Sequence, residues 1–510
     1  MKIIKQTITK ISALVMLGLA VQTAQAALVD LAEYQDWDAL QASISSEDVN
    51  AVQPDGMTAL LWATYYDETN VVSLLLNAGA TPNVSSRYGI TPLIQAAMNG
   101  NSEMISLLID AGADVNATTP EGDNALLNAT RTGAAEGVQA LIDAGANVNL
   151  RDTYLFQTPA MWAAAANQAQ ILRILIDNGA DVNAVSAVLD FRGVVDSTTA
   201  GDFPDGGLTA LHHAARENSI PAALVLIESG ADLNIQDSQG ISPLRYAIIN
   251  ANIDLAKILV EAGADINDGA LVDLLDVETR DLTFLRAEKN YVNQNSPMQL
   301  VELLLEMDVD VNAYPEKAYP LPATGFRGGA GTAGRTALFN MAMTDNPEIM
   351  SLLLENGADP NSINRTGRNG SYLPLSAALT LVSGRGGNVE EDEDTSELRE
   401  SVQVLLDNGA NVNAIAADGT SVLHHAVAAG KQSIVEFLIA EGADLSLKDN
   451  SNRTALDVAT GVSPVVEGDG EPAELPVYEE IATLLTDAMN AQGISIEAYM
   501  APASEESGEA

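Results

Sequence analysis

Apolar residues along this chain come in short clusters at helical spacing, and each cluster is closed by a glycine. Val72, Leu75 and Leu76 share one helix face. The phrase LLNAGATPNV, starting at Leu75, then leads from apolar residues into a glycine and a polar turn. It returns as LIDAGADVNA at Leu108 and LIDAGANVNL at Leu141, a spacing of 33, and as LIDNGADVNA at Leu175 after 34. Later copies place the glycine at 230, 263, 357, 409 and 442, and Asp308 takes that slot once. A second phrase follows about a dozen residues behind each copy: TPLIQAA at Thr91, NALLNAT at Asn124, TPAMWAA at Thr158, TALHHAA at Thr209, SPLRYAI at Ser242, TALFNMA at Thr336, SVLHHAV at Ser421 and TALDVAT at Thr454.

These two phrases predict a pair of helices per unit. Thr or Ser caps the first helix, and proline in its first turn loses no donor. Leucine and small alanines give a narrow packing face, on which Leu211 is expected to be buried. Glycine ends the second helix because it adopts a left-handed conformation without strain. Asp-Val-Asn then enters a tight turn that another glycine closes, as in NIQDSQG from Asn234 to Gly240. No unit buries its apolar face alone, so neighbours must stack, and 510 residues exceed one ordinary core.

The paired phrases resemble the ankyrin repeat, whose motif is Thr-Pro-Leu-His-x-Ala with Gly-Ala-Asp-Val-Asn. The resemblance covers roughly Ala27 to Met500. It implies an all-α fold, an ankyrin-repeat solenoid of about 11–12 helix-turn-helix units joined by β-turn or hairpin loops. The expected layout is a capping repeat over 27–57, an array over 58–453, a C-terminal capping repeat over 454–500 and an acidic tail over 501–510. Extra residues lengthen the period near 185–206, 276–296, 314–334 and 383–395, and again at 461–476. Long loops in a compact array are functional or disordered.

The first 26 residues change the cellular context. Lys2, Lys5 and Lys10 precede a short apolar run from Ile11 to Val21, and Ala24-Gln25-Ala26 forms a small-residue cleavage site. This pattern reads as a secretory signal peptide cleaved near Ala26, too short for a membrane span. The expected location is the periplasm or the external medium. Net charge is -46, and loss of the leader removes three more lysines and no acid. Such a balance opposes nucleic acid and anionic membranes as partners. With no cysteine, stability comes from packing, and thiolate metal sites and thiol catalysis are excluded.

Few residues point to chemistry. GGAGTAGRT, from Gly328 to Thr336, is one letter short of a phosphate loop, but no buried strand precedes it and Thr336 is the capping threonine of a repeat. The four histidines form two adjacent pairs, His212-His213 and His424-His425, and adjacent residues on a helix diverge. By the family resemblance, His212 and His424 brace turns. The acidic run NVEEDEDTSELRE, Asn388 to Glu400, lacks the spacing of a helix-loop-helix calcium site, and Asp394 with Glu397 reads as a capping box. No Ser-His-carboxylate set stands out, no Gly-x-Ser-x-Gly elbow occurs, and nothing singles out a catalytic pair among the abundant carboxylates.

The resulting expectation is a monomeric, non-catalytic scaffold for protein partners, without a cofactor or metal. The alternative is a calcium-binding or hydrolytic periplasmic protein that uses its acidic loops. By the resemblance, partners meet a concave surface built from inter-repeat turns and first-helix ends. Its candidates here are Tyr65, Tyr66, Arg87, Tyr88, Met98, Asn99, Arg131, Tyr154, Arg216, Gln239, Ile249 and Asn250. Tyrosine and arginine are interface-anchoring types. A second candidate is a basic island. Lys317 to Thr344 holds no acid but carries Lys317, Arg327 and Arg335, and Ser362 to Leu373 carries Arg365 and Arg368; Tyr314, Tyr319, Phe326 and Tyr372 interleave them.

Overall fold

A computed structural model describes residues 27–188, 206–279, 292–315, 334–366, 370–379, 400–417, 419–462 and 476–495. The expected leader, most of the inserted loops and the acidic tail lie outside these residues. The chain forms two compact units, one ending at Ser238 and one beginning at Gln239.

The first unit is a stack of helix pairs: α1 (Leu28–Glu33) with α2 (Trp37–Ser43), α3 (Ala59–Tyr65) with α4 (Thr69–Asn77), and α5 (Pro92–Asn99) with α6 (Ser102–Asp110). These are followed by α7 (Ala125–Thr132) with α8 (Ala135–Asp143), α9 (Pro159–Ala165) with α10 (Ala169–Asp177), and α11 (Ala210–Glu217) with α12 (Ile220–Glu228). First helices pack on first helices of the next pair, and second on second. The core is the row of leucines and alanines that the phrases predict, with Leu93, Leu126, Leu211, Ala96, Ala129 and Ala163 all buried. Residues 27–57 contribute two helices to this stack.

The second unit continues the pattern with α13 (Pro243–Ile249), α14 (Ile253–Glu261), α15 (Ala270–Thr279), α16 (Pro297–Glu306), α17 (Ala337–Met343) and α18 (Pro347–Glu355). An antiparallel hairpin of β1 (Asn364–Thr366) and β2 (Gly370–Tyr372) follows, in the register Asn364 to Tyr372. The unit ends with α19 (Pro374–Ala378), α20 (Glu400–Asp407), α21 (Val422–Ala428), α22 (Gln432–Ala440), α23 (Ala455–Ala459) and α24 (Glu479–Ala491). The fold is therefore the expected all-helical repeat stack. Its one described hairpin sits in an inter-repeat turn, where the sequence pattern placed turn or hairpin loops.

Local chemistry explains the regularity. Thr58, Thr91, Asn124 and Thr158 each accept a bond from the backbone N–H three residues on, at 2.9–3.3 Å. At the other end of the unit, Gly79 donates to Leu76 O and Ala80 to Leu75 O, with Gly79 at φ +92°. A Cβ on Gly79 would meet no atom within 4 Å, so backbone conformation and not space selects glycine there. Asp308 holds the same left-handed conformation at φ +56°, a region that Asp tolerates better than most side chains.

The asparagine of the repeated Asp-Val-Asn has a role that spacing alone does not reveal. Asn83 donates to Gly112 O at 3.0 Å and accepts from Asp114 N at 2.7 Å. Asn116 repeats this with Gly145 O at 3.1 Å and Asn147 N at 2.9 Å. In the second unit Asn312 clips Gly357 O and Asp359 N in the same way. Each side-chain amide thus satisfies a helix-ending carbonyl and an N–H of the following repeat. Asn116→Ala, which leaves both groups to water, is expected to lower the stability of the first unit by about 1–2 kcal/mol. Urea unfolding of the variant against the parent checks this.

Candidate functional site

The described surface of the first unit has a cleft of about 290 Å³ where α9 and α11 lie side by side. Its construction starts with a difference of one residue in repeat length. In the preceding turn, Thr119 N donates to Asp123 O, and Gly122 turns the chain at φ +83°. In the turn before α9 the matching bond runs from Asp152 N to Gln157 O, one residue longer. This insertion accounts for the spacing of 34 between Gly145 and Gly179. Asp152 Oδ1 holds the widened turn by accepting from Tyr154 N at 3.2 Å and Leu155 N at 2.8 Å.

The widened turn puts Phe156 in the place of Gly122, at φ +56°. A bulky side chain in the left-handed region carries backbone strain. Phe156 is 48% exposed and Tyr154 73% exposed. The next turn hooks onto this one: Ala187 N donates to Leu155 O at 2.8 Å, and Ser186 N to Leu208 O at 2.9 Å. Leu155, Met161, Ala165, Ala187 and Leu208 form apolar walls, and Trp162, His213 and Arg216 supply polar groups.

His213 decides the character of the floor. It is buried, and its Nδ1 lies 3.3 Å from Arg216 Nη2, a donor, so Nδ1 acts as acceptor and the proton belongs on Nε2. That Nε2 has no partner among the described residues, and neither does Trp162 Nε1. Arg131 covers the Trp162 ring at 4.2 Å while its Nη1 pairs with Asp123 at 2.9 Å. Burial, then the charge of Arg216, then His212, lower the His213 pKa to about 3. The ring is neutral in the fold and takes a proton on unfolding. Its folded pKa lies below its unfolded one, so its contribution is fully present above about pH 6.5 and is lost as pH falls toward 3. Stability of the first unit should fall by about 1.4 kcal/mol per pH unit within this window. Replacing His213 by Gln should flatten that slope, as read from urea midpoints at pH 5 and pH 7.

The structure brings three sequence candidates, Arg131, Tyr154 and Arg216, to this region. Arg216 also pairs with Glu217 at 2.8 Å. Other candidates stand elsewhere in the first unit. Tyr65 is exposed, but Tyr66 is half-buried, stacked on Trp62 at 5.8 Å and bonded through its hydroxyl to Glu33 O. Arg87 lies 4.7 Å over the ring of its neighbour Tyr88, and Met98 is exposed. Asn99 donates to Thr64 O at 2.6 Å, an internal bond between repeats.

In the second unit, Ile249 is buried against Ile241 and Tyr246, so its expected surface role is corrected: the last turn of α13 faces inward there. Asn250 donates to Tyr246 O at 2.9 Å. Gln239 is half-buried. Of the basic island, Arg335 packs 5.9 Å over Phe339, with Nη1 3.9 Å from Met343 Sδ. Tyr372 lies 4.6 Å from the His425 ring. Arg365 belongs to β1, but its side chain lies outside the described residues, as do Lys317, Tyr319, Phe326, Arg327 and Arg368.

Two further polar centres are structural. His212 Nδ1 lies 2.8 Å from Thr209 Oγ1, and His424 repeats this with Ser421 while its Nε2 meets Arg453 O at 3.0 Å. Both are turn braces, as the resemblance implied. In the same slot of another repeat stands Arg245, which donates to Asp273 at 2.6 Å with both side chains almost wholly buried. Nearby Asp268 accepts from Ser242 Oγ at 2.6 Å, and burial pushes its pKa up to about 6. Among the described residues no cluster of three His, Asp or Glu side chains could hold a metal ion. The acidic run at 388–399 lies outside them, including Asp394 and Glu397.

Comparison with known proteins fits this architecture. A family model for ankyrin repeats in three copies matches residues 28–119, 111–186, 191–270 and 395–467, and a single-repeat model matches 333–365. The chain belongs to the ankyrin-repeat family. It is 37% identical over 126 residues to the mouse (Mus musculus) B-cell lymphoma 3 protein homolog, covering 25% of this chain and 24% of that protein. It is 26% identical over 327 residues to the E3 ubiquitin-protein ligase KEG of Arabidopsis thaliana, covering 60% of this chain and 16% of that one. The matches therefore span a quarter or less of those relatives. The human ASB11 ankyrin repeat domain aligns at 23% identity with a TM-score of 0.39, over 47% of this chain and 98% of its own. Ankyrin repeats as a class mediate protein–protein interaction. No described helix is long and apolar enough to cross a membrane.

Proposed function

We propose that this ankyrin-repeat protein is an exported, non-catalytic scaffold that docks a protein partner on its first unit. The observation that carries the reading is the cleft between α9 and α11 with its rim. Tyr154 and Phe156 are exposed large aromatics on the turn that Asp152 braces, on either side of the lining residue Leu155; Arg216 also lines the cleft, and Arg131 covers its Trp162. Exposed aromatics and arginines around a packed pocket are the usual composition of interface hot spots. Tyr65, Tyr88 and Met98 extend the exposed apolar surface along earlier repeats. The basic island at Arg327, Arg335, Arg365 and Arg368 is a second docking element for an acidic partner, steered by charge on an otherwise acidic chain.

Export rests on the basic, apolar and small-residue succession over residues 1–26. N-terminal sequencing of the native protein from an envelope or culture fraction should begin near Ala27; a native protein beginning at Met1 removes the export reading. For docking, the full mature chain is immobilised and partners are captured from the same fraction. Tyr154→Ala with Arg216→Ala is expected to weaken capture at least about tenfold, since hot-spot truncations cost ~2 kcal/mol or more each. Capture unchanged by the double substitution in a folded protein rules this rim out as the docking surface.

A further inference from the structure

Building on the scaffold reading, we propose that the ends of α1, α3 and α5 form a docking stripe for an arginine-bearing basic segment of the partner. Tyr34, Tyr65 and Met98 stand at one register, each seven residues after the N-cap of its helix, Ala27, Thr58 or Thr91. α1 packs on α3 and α3 on α5, so the three are successive neighbours along the stack. They are 80%, 54% and 46% exposed. A row of large apolar side chains left in solvent marks an interaction face. Its centre is held in place: the Tyr65 ring lies edge-on to Trp62 at 5.8 Å and to Tyr66 at 5.1 Å, and Tyr66 meets Trp37 at 6.1 Å.

Charge selects the occupant. Residues 27–86 carry nine Asp and Glu and no Lys, Arg or His, against 70 acids and 24 Lys and Arg in the whole chain. The nearest bases in sequence are Lys10, in the leader, and Arg87, which lies over Tyr88. Several of these acids border the stripe itself. Glu33 precedes Tyr34, and the exposed Asp36 and Asp67 follow Tyr34 and Tyr65 by two residues. Gln53 Nε2 donates to Asp30 Oδ1 at 3.3 Å and to Glu33 Oε2 at 2.7 Å, while its Oε1 accepts from Trp62 Nε1 at 3.0 Å. That bridge sets two carboxylates beside the aromatic cluster. An acidic segment is repelled here, and a neutral one would cover these acids without a counter-charge. Arginine answers both features, because its planar guanidinium stacks on aromatic faces and forks onto carboxylates while its stem covers apolar surface. Further along the unit the same register holds Arg131 and Arg216, seven residues after Asn124 and Thr209, so the acid-flanked stretch ends at Met98.

The experiment titrates the full mature chain, labelled at its three tryptophan indoles, with acetyl-Arg-Ala-Ala-Arg-Ala-Ala-Arg-amide. Counterparts carry citrulline, lysine or glutamate in place of the arginines. In an extended peptide this spacing of ~10 Å matches the step from one packed helix to the next. Trp37→Phe and Trp162→Phe assign the resonances. The arginine peptide is expected to move the Trp62 indole saturably, to leave Trp162 in place, and to bind more weakly as salt rises. Citrulline and glutamate peptides should bind at least about tenfold more weakly, and the lysine peptide about threefold more weakly. Tyr34→Ala with Tyr65→Ala should weaken the arginine peptide at least about tenfold, with an unchanged Trp162 signal reporting an intact fold. A Trp62 signal unmoved at millimolar peptide overturns the proposal. Equal binding of the arginine and citrulline peptides does so too, and equal binding of the arginine and lysine peptides reduces the effect to diffuse charge and overturns it as well. These titrations need only the unaltered protein, so they decide the matter even if the double variant misfolds. A protein partner captured equally by the parent and by the folded double variant leaves the scaffold reading standing and removes the stripe from it.

Discussion

Replacing Asp273 by Ala is expected to destabilise the second unit by about 3–5 kcal/mol, the largest single effect in that unit. Asp273 Oδ2 accepts from Arg245 Nε at 2.6 Å, and the two side chains are 0% and 1% exposed. Removing the carboxylate leaves a guanidinium in a low-dielectric interior without the carboxylate it is bonded to, and Asp268, the other carboxylate that acts on it, is pushed toward its neutral form by burial. The cost is the desolvation of that charge, not the worth of the pair. For the same reason the double replacement Arg245→Met with Asp273→Leu is expected to recover most of the loss, since an apolar pair of similar volume has no charge to desolvate. Thermal and urea unfolding of the two variants and the parent check both statements. A double variant as unstable as Asp273→Ala would show that the pair fixes the fold around α15 in a way packing cannot replace.

Leu211→Ala is expected to destabilise the first unit by about 2–5 kcal/mol. Leu211 is 1% exposed on the first turn of α11, which packs on α9. Truncation loses its transfer free energy and leaves a cavity between two repeats. Repeats touch only their neighbours, so the loss concentrates around α11 and unfolding should become visibly multi-step. Calorimetry reads both effects. A single sharp transition with an unchanged midpoint contradicts the burial of Leu211.

Much of the fold was legible in particular residues. Thr91, Pro92 and Leu93 specify a cap, a first turn and a core contact through interactions within a few residues of one another, so the pattern is written locally. The same holds for Gly79, whose positive φ is a property of its own backbone. The place of Leu211 in the repeated phrase puts it in the core, and it is buried there. The family resemblance makes His212 and His424 turn braces, and their bonds to Thr209 and Ser421 agree.

The site was legible only in part. Residue type and position in the repeat mark Arg131, Tyr154 and Arg216. Trp162 carries no such signal, and His213 stands out only as the neighbour of His212, because the repeat motif gives their positions no function of their own. One signal was present: the spacing of 34 before Gly179 marks the inserted residue that lifts Phe156 to the rim. Ile249 shows the converse, a surface assignment that failed because local packing with Ile241 turned it inward.

The sequence by itself determined the repeat, its caps, its helix ends and the burial of its leucine rows, because these follow from short-range backbone chemistry repeated at a fixed period. The tertiary structure decided which side chains meet across repeats. Asn116 finds Gly145 O, Arg245 finds Asp273, and Trp162 and His213 converge at one cleft. These pairings depend on the stacking of one repeat against the next, and that geometry belongs to no single stretch of chain.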